Sequence, residues 1–210
     1  MASPRRPPVP SRQTRTAQHA RAPQEVRIIG GRWKRTPLAV KDMPGLRPTP
    51  ARVRETLFNW LGQDLSGWRC LDAFAGTGAL GLEAASRGAA QVLLVEQDPG
   101  LARGLRAMVT RLKGEGVARV EQGDALNVLR AHQGAGLDIV FLDPPFGEGE
   151  ANDSLFRQAL QAAHQAVHAA GLVYLEAPQR WGDDQLAPLG LQTYRQGQAG
   201  QVAFHLLRLA

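Results

Sequence analysis

The sequence predicts a doubly wound α/β sheet of seven strands, closed at its C-terminal edge by an antiparallel hairpin. Three observations lead there. From Trp68 onward, short apolar segments ("RCLDAF", "QVLLVE", "ARVEQG", "LDIVFLD" and "GLVYLEA") alternate with helical stretches at 79–88, 99–113, 125–132 and 152–168. Strands that are apolar throughout and separated by helices belong to a parallel sheet covered on both faces. The final stretch, "LGLQTYRQGQAGQVAFHLLRL", reads instead as strand, glycine-containing turn, strand, so an antiparallel pair ends the sheet. At 210 residues the chain is long enough for one domain with a full core.

Taken in order, residues 1–25 read as a disordered basic arm. "MASPRRPPVPSRQTRTAQHARAPQ" is rich in Pro, Arg and small polar residues and cannot bury enough apolar surface to order itself. Its five prolines spoil the amphipathic helix of a transit peptide. The domain then runs from 26 to 210. Its first part, 26–45, is a basic extension: "VRIIGGRWKRTPLAV" has two β-leaning pieces around Gly30-Gly31, a hairpin signal. "RPTPARVRETLFNWLG" follows, with Thr49 as N-cap, Pro50 at the first helical position, and Val53, Leu57, Trp60 and Leu61 on one stripe.

Charge is distributed unevenly. Residues 1–54 hold 13 of the 25 basic residues against only Glu25 and Asp42, whereas the other 156 residues carry 12 basic and 17 acidic. A basic arm on a mildly acidic body suggests a polyanionic partner, nucleic acid being the commonest. No apolar run has the length of a membrane span and no hydrophobic signal core opens the chain, so a cytoplasmic protein is expected. Cys70, the lone cysteine, reads as a small core residue.

The first chemical motif is "LDAFAGTGALGLEAA". Gly76, Gly78 and Gly81 match G-x-G-x-x-G at a strand-to-helix turn, and Glu96 ends the next strand twenty residues after Gly76. This pattern alone also fits a nicotinamide cofactor. Asp72 precedes the glycines, and Asp124 in "QGDAL" follows the third strand at the same sheet edge. Asp72, Glu96 and Asp124 form an acidic rim that repels a pyrophosphate. It suits a ligand with an ammonium, a ribose diol and an adenine amine, the features of S-adenosylmethionine.

The second motif is "FLDPPF", 141–146. Neither proline can donate to a sheet ladder, so the strand stops at Asp143 and the chain leaves it stiff. An exocyclic base amine is a poor nucleophile because its lone pair is delocalised into the ring. Two acceptors, the Asp143 carboxylate and the Pro144 carbonyl, can take its N–H groups and free that lone pair, with both acceptors fixed in advance. Phe146 can stack on the base. His164 and His168 have zinc-compatible spacing but no third ligand, and no metal is expected. Arg103, Arg106 and Arg111 read as a solvated helix face.

"RIIGGRWKRTPL", "RPTPARVRETLFNWL", "LDAFAGTGALGLEAASRGA", "VEQDP" and "FLDPPF" together resemble the RsmD-type family of bacterial small-subunit rRNA guanine-N2 methyltransferases. The resemblance runs from about Val26 to the C-terminus. It implies the Rossmann-like class I methyltransferase fold, S-adenosylmethionine as donor and a guanine of 16S rRNA as acceptor. Asp72, Phe74, Gly76, Thr77, Gly78, Glu96, Asp124 and Ala125 then hold the cofactor. Asp143, Pro144, Pro145 and Phe146 hold the guanine. Arg27, Arg32, Trp33, Lys34, Arg35 and Arg47 are expected to contact RNA, and a monomer is expected. "DPPF" itself does not separate guanine N2 from adenine N6. A nicotinamide oxidoreductase gives no use for "DPPF", and a non-catalytic assembly factor gives none for the acidic rim.

Overall fold

The computed structural model of the chain describes residues 26–38, 49–147 and 149–210. The arm over 1–25, the rest of the 26–45 extension and Arg47 lie outside the described residues. The described chain enters through β1 (Val26–Arg27), paired antiparallel with β2 (Pro37–Leu38), and continues into α1 (Ala51–Leu61). An alternating series follows: β3 (Arg69–Asp72), α2 (Gly81–Ser86), β4 (Gln91–Glu96), α3 (Pro99–Arg111), β5 (Ala118–Gln122), α4 (Ala125–Ala131), β6 (Leu137–Leu142), α5 (Glu150–Ala166) and β7 (Val167–Ala177). After a short α6 (Asp183–Leu186), β8 (Leu191–Ala199) and β9 (Val202–Leu209) complete a seven-stranded sheet of order β5-β4-β3-β6-β7-β9-β8. Strands β3 to β7 pair in parallel, and β9 pairs antiparallel with both β7 and β8, as the sequence predicts.

The all-apolar strands follow from burial on two sides. Successive residues point to opposite faces. Ile139, Phe141, Tyr174 and Leu206 join the layer built by α1, α2 and α3, while Val140, Leu142, Val173 and Leu207 join the one built by α4 and α5. Helix α1 seals the first layer with Val53, Leu57, Phe58 and Leu61, and Trp60 stacks on Phe204 with ring centroids 5.3 Å apart. Leu57 and Phe58 are fully buried, each contributing about 1.5–3 kcal/mol of transfer free energy. No helix among the described residues is long and apolar enough to cross a membrane.

Three local expectations need correction. Pro50, not Thr49, is the N-cap of α1, and Thr49 makes no capping bond because its hydroxyl is directed to Asp143 instead. The expected helix over 152–168 ends at Ala166, since Leu137 of β6 already pairs with Val167. His168 therefore sits on a strand beside Asp138 (3.1 Å), apart from the helical His164. Finally, Gly30-Gly31 do not form a two-residue turn. Pairing of Val26 with Leu38 and of Arg27 with Pro37 leaves a longer loop, whose Ile29 and Gly30 N–H groups are bound by a carboxylate of the domain.

Candidate active site

Strand order reverses between β3 and β6: β4 leaves β3 on one side and β6 on the other. Open α/β sheets bind ligands at the carboxyl ends of the strands flanking such a reversal. The two motifs lie there, the glycine loop after β3 and "DPPF" after β6.

The loop after Asp72 turns through Gly76 and Gly78, at φ 52° and 76°. This left-handed region strains any side chain, and at Gly78 a Cβ atom would lie 2.7 Å from Leu105 Cδ2. Asp72 is fully buried beneath the loop, where its Oδ2 accepts the Gly81 N–H at 2.8 Å. Burial pushes its carboxyl up to about 7, with the Glu96 charge acting the same way and the Gly81 bond opposing. Glu96 is half-buried at the end of β4 and accepts from the Gly76 N–H (2.9 Å) and the Asp98 N–H (2.8 Å). Its carboxylate is thus fixed in direction while keeping lone pairs for further donors. Phe74 and Thr77 are half-buried in the loop, Ala125 is buried, and Asp124 is exposed at the N-cap of α4, accepting from Asn127 (2.9 Å).

Across the crevice, β6 ends at Leu142. Asp143 is half-buried, Pro144 buried and Pro145 exposed. Phe146 is 44 % exposed, one of only two large apolar side chains so open among the described residues. The Thr49 hydroxyl lies 3.4 Å from Asp143 Oδ2. Burial, then the Glu176 and Asp72 charges, hold the Asp143 carboxyl well above the ordinary carboxylate range, against the Thr49 bond. Glu176 was not singled out from the sequence. It is 3 % exposed and its Oε1 accepts the Tyr174 hydroxyl at 3.0 Å. The available signal was an acid inside the apolar strand "VYLEA".

A buried ionic cluster, also unforeseen, joins the hairpin to this site. Glu83 of α2 has no exposed surface and accepts the Ile29 and Gly30 N–H groups, both at 2.7 Å, and Arg87 Nε at 2.8 Å. Arg54, on the core side of α1, lies 3.6 Å from Glu83 and donates to the Arg27 carbonyl (2.8 Å) and the Thr49 carbonyl (3.4 Å). Ser86 completes the dock, donating to the Gly30 carbonyl (2.6 Å) and accepting from the Trp33 N–H (2.9 Å). Gly31, at φ 70°, passes so close that a Cβ would sit 1.8 Å from the Ser86 carbonyl oxygen. The loop so held presents Arg32, Lys34 and Arg35 to solvent. Trp33 is half-buried under the Arg32 guanidinium (4.1 Å to the ring centroid) and next to Gly114, and Arg27 Nη1 donates to the Arg35 carbonyl at 3.0 Å.

The sheet order, the glycine loop and the acid at the end of the neighbouring strand define the class I methyltransferase fold. Residues 26–208 match the family described as "Conserved hypothetical protein 95", and the chain belongs to that family. Over 184 residues it is 44 % identical to the ribosomal RNA small subunit methyltransferase D of Escherichia coli, covering 87 % of this chain and 89 % of that protein. The protein of the same name from Haemophilus influenzae is 37 % identical over 85 % of this chain and 96 % of its own length. Among solved structures, the Escherichia coli protein yhhF superposes with a TM-score of 0.71 at 36 % identity, covering 88 % of this chain and 98 % of the other. The chain is an enzyme of the methyltransferase class.

Proposed function

We propose that the chain transfers a methyl group from S-adenosylmethionine to the exocyclic N2 amine of a guanine in small-subunit ribosomal RNA. One observation carries this reading: Asp143 and the buried Pro144 leave β6 at the crevice that also holds the glycine loop and Glu96. The relatives named for small-subunit rRNA methylation supply the acceptor class.

The acidic rim fits the donor. Glu96, already aimed by Gly76 and Asp98, accepts the ribose hydroxyls. The glycine backbone allows close approach, Asp124 and Ala125 take the adenine, and Asp72 supports the loop from beneath through the Gly81 N–H. When bound, S-adenosylmethionine supplies a methyl group on a positively charged sulfur. Asp143 and the Pro144 carbonyl accept the two N–H groups of the amine, which turns its lone pair out of the ring plane, and the ionised carboxylate takes the proton that the amine must lose. The open ring of Phe146 stacks on the base. The direct test is incubation of unmethylated small-subunit rRNA with labelled donor, followed by mass spectrometry of the nucleosides. N2-methylguanosine is expected; N6-methyladenosine, or no incorporation, overturns the assignment.

Two further outcomes are expected. Glu96→Ala should weaken donor binding in calorimetry by about 1.5–3 kcal/mol, the scale of hydrogen bonds to a charged group. Unchanged affinity in a folded variant would move the ribose contact elsewhere. Neutralising Arg32, Lys34 and Arg35 together should flatten the log–log salt dependence of RNA binding by about 2, since each phosphate contact contributes roughly 0.7–0.9. Single-turnover methylation should fall even at saturating RNA, with donor affinity kept. An unaltered salt slope would remove the hairpin from the RNA interface.

A further inference from the structure

The hairpin loop and the crevice lie at opposite ends of the layer built by α2 and α3. Arg32 and Trp33 donate their N–H groups to Ser86, and the Trp33 ring packs against Gly114. Both anchors stand where strands begin. Ser86 ends α2 just ahead of β4, and Gly114 accepts the N–H of Ala118, the first residue of β5. Gly76, Glu96 and Asp143 stand where strands end. An RNA held by Arg32, Lys34 and Arg35 must therefore cross this layer before one of its bases enters the crevice. Helix α3 spans that distance. It starts at Pro99, just after Glu96, and ends at Arg111, just before Gly114; its 13 residues at about 1.5 Å each give a length of roughly 20 Å.

The outer face of α3 carries charge of one sign. Arg103, Arg106 and Arg111 are exposed, as is Lys113 just beyond the helix. No acid occurs in "PGLARGLRAMVTR", so none of these arginines has the partner three or four residues away that a solvated helix face ordinarily provides. Among the described residues the four side chains make no hydrogen bond or ion pair. The charge is also local. Residues 103–119 hold five of the 12 basic residues of 55–210 against one acid, Glu115, although 55–210 as a whole is acidic. Gly104, Ala107 and Thr110, exposed between the arginines, are small, so nothing on this face holds a polymer away. Buried Leu101, Leu105, Met108 and Val109 fix the rotation that turns the arginines outward.

We propose that the outer face of α3 is a track for the RNA backbone, joining the hairpin loop to the crevice. Arg111 and Lys113 stand at its end beside Trp33, Arg103 at its end toward Glu96, and Arg106 between them. Arginines on a helix surface contact phosphates without reading bases, so the track gives affinity and direction while the crevice makes the choice of base. The hairpin holds one end of the RNA and α3 sets its course toward Asp143.

This inference rests on the rRNA reading above, and the test separates the two. Binding of a small-subunit rRNA transcript, and of assembled small subunits, is measured across a salt series in the full chain and in two double variants. Arg103→Gln with Arg106→Gln removes two charges from α3. Arg130→Gln with Arg157→Gln removes two exposed charges from α4 and α5, on the other layer. The α3 pair should flatten the log–log salt slope for the transcript by about 1.4–1.8, since each phosphate contact contributes roughly 0.7–0.9. Affinity near 0.1 M salt should then fall about tenfold or more, the difference closing as salt rises. The α4–α5 pair should keep nearly the wild-type slope. S-adenosylmethionine affinity should be unaltered in both, which shows that they fold. An unchanged slope in the α3 pair leaves that face solvated and overturns the track. An equal fall in both pairs shows that net charge alone acts and overturns it as well. Weaker binding to assembled subunits with an unaltered transcript slope assigns the face to a ribosomal protein and also rejects RNA. A wild type that binds the transcript with the expected slopes but methylates nothing overturns the function assigned above and leaves the track standing.

Discussion

Asp143→Ala is expected to lower single-turnover methyl transfer by two orders of magnitude or more while leaving S-adenosylmethionine affinity nearly intact. Removing one preorganised acceptor from a desolvated site costs about 3 kcal/mol or more of transition-state stabilisation. Asp143 can be removed without disturbing the donor side, because it leaves β6 while the loop and Glu96 are built on β3 and β4. Among the described residues, its side-chain hydrogen bond is the one from Thr49. Asp143→Asn sharpens the test. The amide keeps the shape and one acceptor oxygen but turns an N–H₂ toward the amine, so most of the loss should remain. Transfer near the wild-type rate in Asp143→Asn would show that the charge is dispensable, and near-normal turnover in Asp143→Ala would remove Asp143 from the centre.

The sheet was legible because its information is one-dimensional. Apolar runs of strand length between helical periods fix a parallel core, and the change of pattern after Gly190 fixes the antiparallel end. Motifs beside a strand end were legible for the same reason: Gly76, Gly78, Glu96 and Asp143 follow directly from where the strands stop. What the sequence hid are side chains that meet across long separations. Arg54 looks like one more charge on an amphipathic helix, yet it is 2 % exposed because Glu83, 29 positions later, stands opposite. Thr49 reads as a helix cap, yet its hydroxyl is directed to Asp143 across 94 residues of chain. Glu83 reads as an ordinary residue of the helix after the glycine loop, but it is what holds the hairpin. Asp72 reads as a ligand contact, but its burial under the loop became visible only with Gly81 placed against it.

Glu83 carries the largest expected effect on stability. Its carboxylate meets the Ile29 and Gly30 N–H groups, Arg87 and Arg54 in a space closed to water. Glu83→Ala takes one shared acceptor away from two guanidinium groups and two backbone donors. Breaking a buried ion pair from one side typically costs about 3–5 kcal/mol. In a chain of this size that corresponds to a fall in Tm of roughly 10 °C. Arg54→Met should cost less, because Glu83 keeps Arg87 and both N–H groups and the methionine fills much of the arginine's volume. Their functional signatures should differ too. Loss of Glu83 frees the loop that presents Arg32, Lys34 and Arg35, so RNA affinity should drop although every one of those charges is retained, and protease cleavage should appear within residues 28–36. Loss of Arg54 removes the donor to the Arg27 and Thr49 carbonyls, so it should weaken transfer more than RNA binding. Thermal unfolding, limited proteolysis and RNA titration of the two variants decide the matter. If Arg54→Met proves the more destabilising, or if Glu83→Ala leaves the loop protected and RNA affinity unchanged, the hairpin is held by the β1–β2 pairing and Ser86, and Glu83 is not its anchor.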